Sequence, residues 1–368
     1  MKILFTRFPL ESALGGAEIQ TLSLIKGLNE RGHAVAFLGS CPVLLREIPK
    51  IHIPNAKLEI GPPPVTKWGA MSFLWKKRQM QLRLETALDS FHDLDAIVML
   101  SLTEKLLVTE WAAKKGIKVF WVEHDRIGPW LTKNPWLPLL RKQSRHATTI
   151  TVSELSRKMY VGLGWSTEKV VVIANGVDIS RFAEKEKREK RKEKSDLCVG
   201  CVARLSPEKG VDVLIDAIAG LDNVSLTIVG NGPEQPMIEN QVRRSNEETK
   251  SRTSVIHHVS DLGDFYHSCD VVILPSRDHD PFGLVAAEAM LLGVPVIVTD
   301  ACGIAGYLRD GDDALIAKAN SAESLREAIV RMQDAGLRTR IGTEGQKTAS
   351  QKFALDAMIL RYEELLKN

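Results

Sequence analysis

The stretch LCVGCVARLSPEKGVDVLIDAIAGLDNVSLTIVG, residues 197–230, decides the fold. Two apolar runs, LCVGCVA and VSLTIVG, bracket a segment after Ser206 whose apolar residues recur at helical spacing. Strands written as nearly continuous apolar runs, joined through a helix, belong to a parallel sheet covered on both faces. The same rhythm runs on to the C-terminus. A helix follows Gly232, then DVVILP (270–275), a helix after Gly283, VPVIVT (294–299), ALIAK (314–318) and further helical segments. It also runs backwards: KILFT (2–6), a helix over about 17–30, AVAFLG (34–39), a longer connection, DAIVML (95–100), a helix, IKVFWV (117–122), TTITVS (148–153) and VVVIANGVD (170–178).

Between the two series stands EKEKREKRKEK, residues 184–194, whose mixed charges suit a solvated linker or helix end. The expected organisation is therefore α/β, with a lobe over 1–183, a charged linker over 184–195 and a second lobe over 196–350. The residues 351–368 form a terminal helical segment. Each lobe is a doubly wound unit. Ligands of such sheets bind beyond the carboxyl ends of the strands, so the expected site is the cleft between the two lobes.

A chain of 368 residues, 44% hydrophobic and 26% charged, is long enough for two such cores. The opening MKILFTRFPL lacks the apolar length and the small-residue cleavage site of a signal peptide, and no run approaches the length of a membrane span. A cytoplasmic location is expected. The five cysteines are an odd number without framework spacing; Cys198 and Cys201 make a CxxC, but inside a strand they point to opposite faces and do not share a metal. The charge is asymmetric: residues 1–180 carry 24 basic and 16 acidic side chains (+8), the remainder 25 and 30 (−5). A basic N-terminal half invites an anionic partner. No zinc-finger or RNA-binding signature points to nucleic acid, which leaves an anionic membrane surface. The segment KWGAMSFLWKKRQMQLRLE (67–85) interleaves Trp68, Phe73 and Trp75 with Lys67, Lys76, Lys77, Arg78 and Arg83. It reads either as a peripheral membrane contact or as a helix whose Phe73, Met80, Leu84 and Phe91 face the core.

The chemistry is concentrated in four places. In RLSPEKG (204–210), Ser206 and Pro207 look like the cap and first residue of a helix, so Lys209 opposes the helix dipole. An anion held between Arg204 and Lys209 would reverse that penalty; the alternative is a solvated cation pair. In DPFGLVAAEAM (280–290), Asp280 precedes a proline and is kept out of helix, while Gly283 and Leu284 open one. Free amides there suit phosphate oxygens, and Asp280 and Glu288, expected to be unpaired, suit sugar hydroxyls. Asp278, His279 and Asp280 also spell a DxD, but Asp93–Asp95 shows how easily such a triplet arises, and no metal is expected. In SALGGAE (12–18), Gly15 and Gly16 permit close backbone approach to an anion at a helix start. His124 follows a strand at its carboxyl end, between Glu123 and Asp125, and is the best-placed histidine for catalysis.

Taken together, GGAE (15–18), RGHAV (31–35), ANGVD (174–178), RLSPEKG, GNGPE (230–234) and DPFGLVAAEAM resemble glycosyltransferase family 4, in order and over nearly the whole chain. The resemblance implies the GT-B fold, with two Rossmann-like lobes and a C-terminal helix crossing back to the first. It further implies a retaining, metal-independent glycosyltransferase that uses a nucleotide diphosphate sugar as donor substrate and no cofactor. By position, Arg204 and Lys209 would hold the diphosphate with help from Gly16, Glu288 would bind the ribose, Asp280 would face the sugar hydroxyls, and His124 would sit beside the sugar. An acceptor glycan or lipid-linked glycan, in polysaccharide or glycolipid synthesis, is the implied second substrate. Asp280 stands where the family has glutamate, one methylene longer, Gly306 where it often has glutamate, and Ala174 where it has proline. A nucleotide-sugar epimerase and a non-catalytic nucleotide-sugar binder are the alternatives.

Overall fold

The structure, a computed structural model, describes residues 1–10, 15–182 and 196–368. The expected linker over 184–195, and residues 12–14 of SALGGAE, lie outside them. The chain forms two compact units, Met1–Ala174 with Met358–Asn368, and Asn175–Ala357.

Seven parallel strands build the first unit: β1 (Lys2–Arg7), β2 (Ala34–Gly39), β3 (Asn55–Lys57), β4 (Ala96–Met99), β5 (Lys118–Glu123), β6 (Thr148–Thr151) and β7 (Val170–Val172). Their order is β3-β2-β1-β4-β5-β6-β7. Six parallel strands build the second: β8 (Leu197–Val202), β9 (Val224–Val229), β10 (Thr253–Ile256), β11 (Val271–Leu274), β12 (Val296–Thr299) and β13 (Leu315–Ala317), in the order β10-β9-β8-β11-β12-β13. Every residue of β4, β11 and β12 is buried, as expected of strands covered on both faces. In each sheet the order reverses beside the first strand, between β1 and β4 and between β8 and β11, and that is where a doubly wound sheet opens a crevice at its carboxyl edge.

The units part at Ala174, upstream of the expected boundary at 183. The reason is hydrogen bonding: Ile173 N still donates to Thr151 O at the sheet edge (2.9 Å), whereas Val177 N donates to Phe353 O (2.8 Å) and Leu355 N to Val177 O (3.1 Å), within the second unit. The terminal segment is also shorter than 351–368. Residues up to Lys352 complete the helix Ala335–Lys352, and the final helix is Leu355–Lys367.

That final helix explains RGHAV. Glu363 accepts from Arg31 Nε (2.5 Å), from Lys367 Nζ (2.7 Å) and lies 3.1 Å from His33 Nε2, all within the first unit. Ile359 of the same helix fills the space where a side chain at Gly27 would stand. The long helix Lys67–Asp89 begins at Thr66, whose hydroxyl accepts from Gly69 N at 3.0 Å. It buries Phe73, Met80, Leu84 and Leu88 in the core, with Phe91 packed against it, which is the core-facing reading of this segment.

Hydrogen bonds from Lys367, Arg31 and His33 hold the Glu363 carboxyl down at about 2. A carboxylate with a lowered folded-state pKa contributes stability that is present above its unfolded value and is lost as pH falls through the folded one. The melting temperature of Glu363→Gln should therefore lie below that of the parent at neutral pH, with the gap closing between about pH 4.5 and 2. A gap independent of pH would mean that the helix is held by packing alone.

Candidate functional site

In the second unit the candidate residues gather at the carboxyl ends of β8 and β11. The turn after β8 is not the helix start that Ser206 and Pro207 suggested. Pro207–Lys209 form a single 3-10 turn, Gly210 adopts a left-handed conformation (φ 63°), and the helix Val211–Ile218 begins only after it. Lys209 therefore precedes the helix instead of opposing its dipole from inside the first turn. Ser206 does not cap it; its hydroxyl donates to Glu208 Oε1 (2.7 Å). A Cβ at position 210 would stand 2.3 Å from Pro275 O, so only glycine lets this turn lie against the segment after β11. The contact is reinforced by Arg277, whose amide donates to Glu208 O (2.9 Å) and whose guanidinium pairs with Asp212.

Both cations have carboxylate partners. Arg204 Nη2 lies 2.7 Å from Glu208 Oε1, with the Arg204 side chain still 68% exposed. Burial pushes the Glu208 carboxyl up, but hydrogen bonds from Ser206, its own amide and Arg204 outweigh this and hold it at about 2. Lys209 Nζ lies 2.6 Å from Asp280 Oδ2, which also accepts from Ser276 Oγ at 3.1 Å. Asp280 is thus buried and paired, not unpaired as its sequence setting suggested. Glu288 is likewise partnered: Tyr266 Oη donates to its Oε2 at 2.7 Å. Burial raises the Glu288 carboxyl above its ordinary value, against the opposing pull of Tyr266 and Arg181. Gly283, at φ 99°, precedes the helix Leu284–Leu291; its carbonyl accepts from the amides of Ala286 (3.0 Å) and Ala287 (3.4 Å), which leaves those of Leu284 and Val285 without acceptors of the helix's own. Asp278 and His279 complete the DHD triplet, His279 being buried. Among the described residues no three His, Cys, Asp or Glu side chains are grouped to hold a metal ion.

In the first unit, Gly15 stands extended at the start of the helix Gly16–Glu30, and Glu18 of GGAE is a brace: its Oε1 accepts from Arg7 Nη2 at 2.5 Å, tying the helix start to the end of β1. His124 follows β5. Its Nδ1 is sealed from solvent and has no hydrogen-bond partner among the described residues, although part of the residue is accessible. Burial, then the positive charges of Arg7 and Lys105, push its pKa down to about 3. Lys105 is itself buried against Glu123 (Nζ to Oε1, 2.9 Å), and Glu123 also accepts from Tyr160 Oη at 2.9 Å. Next to it in sequence, Glu104 accepts from the amides of Leu100 (3.2 Å) and Ser101 (2.7 Å), and burial raises its carboxyl to about 7.

Sequence reasoning singled out Arg204, Lys209, Asp280 and Glu288, and His124 with its neighbour Glu123, but missed Glu208, Ser276 and Tyr266, and in the first unit Arg7, Glu18, Lys105 and Tyr160. Glu18 and Glu208 lay inside the quoted motifs. Lys105 carried a signal too, being a lone cation in the apolar run LTEKLLV.

Two family models match the chain in succession. Residues 14–181 match the model described as Glycosyltransferase Family 4, and residues 182–348 the one described as Glycosyl transferases group 1. An uncharacterised glycosyltransferase of Methanocaldococcus jannaschii is 33% identical over 171 residues, covering 45% of this chain and 47% of that protein. A lipopolysaccharide core biosynthesis glycosyltransferase of Rhizobium meliloti is 28% identical over 205 residues, covering 55% and 59%. The chain thus spans about half the length of the curated relatives it matches. Among solved structures, HepE of Anabaena in complex with UDP superposes over 100% of both chains with a TM-score of 0.82 at 22% identity, a likeness of fold. The two parallel-sheet units define the GT-B class, and with both models matched in succession the chain belongs to the glycosyltransferases of family 4 type.

A histidine whose pKa is pushed to about 3 stays neutral through the physiological range, so the His124 ring signals in an NMR titration should not move between pH 8 and 5. Titration of that ring near its ordinary value of about 6.5 would mean that neither burial nor the charges of Arg7 and Lys105 act on it.

Proposed function

We propose that this protein is a retaining glycosyltransferase that moves a sugar from a nucleotide diphosphate donor to a hydroxyl of a glycan or lipid-linked glycan, with no metal ion. The observation that carries the reading is the convergence of Arg204, Lys209, Asp280, the Gly283–Leu284 helix start and Glu288 at the carboxyl ends of β8 and β11. Two cations and free amides at a sheet's switch point suit a diphosphate, and a buried carboxylate a short distance along the following helix suits a ribose. UDP in the HepE complex and the lipopolysaccharide role of the Rhizobium relative support the same donor and acceptor classes.

In this reading Arg204 swings from Glu208 to the phosphates, which its exposure permits, and Lys209 exchanges Asp280 for a phosphate oxygen. Asp280 is then released to accept from the hydroxyls of the transferred sugar. In the first unit, taken by itself, the backbone at Gly15 and Gly16 suits close approach of an anionic group, and the neutral His124 ring suits a hydrogen bond with a sugar hydroxyl. The bond from the anomeric carbon to the phosphate oxygen breaks as the bond to the acceptor oxygen forms on the same face. The acceptor's proton passes to the departing phosphate. Arg204, Lys209 and the helix start stabilise the charge that develops on that phosphate, the work a metal ion performs elsewhere.

Each cation contributes a charge-assisted contact of about 1.5–3 kcal/mol. With excess EDTA present throughout, the parent should turn over nucleotide sugar in an acceptor-dependent reaction, and Arg204→Ala and Lys209→Ala should each lower kcat/KM for the donor by about ten- to a hundredfold. Turnover that EDTA abolishes and magnesium restores would move the charge neutralisation to a metal. Folded variants with undiminished efficiency would place the diphosphate elsewhere.

A further inference from the structure

The helix Lys67–Asp89 is apolar on two opposite sides, and only one of them is used by the core. At about 100° per residue, Phe73, Met80, Leu84 and Leu88 project to the buried side. Trp68, Met71, Trp75 and Leu82 project into a sector of about 60° on the opposite side. They remain 80%, 57%, 78% and 56% exposed. Two large indoles and two aliphatic side chains in one outward row are not the scattered apolar residues of an ordinary surface. The row is flanked by cations on both sides, Lys67 and Arg78 along one edge, Lys76 and Arg83 along the other, all exposed. Lys77 lies over the Trp136 ring at 5.3 Å, fixing the helix to the unit beneath. From residue 67 to residue 84 there is no aspartate or glutamate. No helix among the described residues is long and apolar enough to cross a membrane.

We propose that this face lies flat in the headgroup region of an anionic lipid bilayer, with Trp68, Met71, Trp75 and Leu82 inserted at the acyl boundary and the flanking lysines and arginines on anionic headgroups. A central apolar row between two cationic edges is the pattern of an interfacial helix, and tryptophan is the residue most suited to that depth. Charge disfavours the simplest protein occupant: a two-fold pairing of this face with itself would oppose two cationic helix segments that carry no acidic residue between 67 and 84. The +8 balance of residues 1–180 favours the same anionic surface. The inference stands on this helix and on the charge of the N-terminal half, and is independent of the donor site.

The test is sedimentation of the full chain with mixed phosphatidylglycerol/phosphatidylcholine vesicles and with pure phosphatidylcholine vesicles, without donor or acceptor. Binding is expected to the mixed vesicles, to weaken with salt, and to be absent with phosphatidylcholine alone. At about a factor of five per cation near the surface, the triple variant Lys76→Gln, Arg78→Gln, Arg83→Gln should lower the partition coefficient about a hundredfold. Brominated lipids should quench tryptophan emission in the parent and not in Trp68→Ser, Trp75→Ser. All these positions are exposed, and unchanged melting curves would show that both variants are folded. Equal binding to neutral vesicles, no binding to anionic ones, or a parent dimer that the double serine variant converts to monomer would each overturn the proposal.

Discussion

The contact between Lys209 Nζ and Asp280 Oδ2, 2.6 Å long and largely shielded from solvent, joins the two chain segments on which the site depends. One follows β8 and the other follows β11, the two strands at which the sheet order reverses. Parallel strands place their following loops on one edge, and the reversal leaves nothing between those loops. The ion pair, the Arg277 amide on Glu208 O and the glycine at 210 then bring the two loops into van der Waals contact. A partly buried pair of this kind adds little net stability, because removing both charges from water offsets much of their attraction. Its consequence is positional: it holds the lysine and the carboxylate together at the switch point, where the proposed function has an incoming anion take the place of one partner.

The first unit uses the same physics at its own carboxyl edge. Arg7 with Glu18, and Lys105 with Glu123 and Tyr160, place two buried cations near His124, whose ring is kept neutral first by burial and then by those charges. Each cation is compensated by a carboxylate, which is what allows it to be buried at all. The energetic logic differs from that of the second unit, where the Arg204 side chain is exposed and free to change partner. One set of charges is buried and shapes the properties of a neighbour; the other is in part exposed to solvent.

The fold was legible because most of its strands are buried, so that apolar runs alone marked β1, β2, β4 to β9 and β11 to β13. Of the four edge strands, β3 and β10 were not marked. Asn55–Lys57 is wholly exposed, and a polar edge protects a sheet from further pairing while erasing the strand signal. At the site, residue identity was legible and pairing was not. Asp280 looked unpaired because Lys209 is 71 residues away in sequence, and Glu288 because Tyr266 is 22 away; no local rule reports partners at that range. The helix start after Ser206 was misplaced for a different reason. Ser-Pro is a genuine capping signal, but Gly210 in a left-handed conformation interposes a turn before the helix, and the signal does not record that. The glutamates of GGAE and RLSPEKG sat in plain view and turned out to brace Arg7 and to hold Arg204.

If Lys209 exchanges Asp280 for phosphate, the two members of the pair must behave oppositely toward a nucleoside diphosphate. Calorimetry with UDP, GDP and ADP on the parent, Lys209→Met and Asp280→Asn measures this directly. For whichever nucleotide binds, the account predicts that Lys209→Met weakens affinity by about ten- to a hundredfold, the loss of one charge-assisted contact. Asp280→Asn should retain or tighten affinity, because the lysine no longer leaves a carboxylate to reach the ligand. Equal loss in both folded variants would contradict it, and would make the pair a brace between two loops with no part in holding the donor.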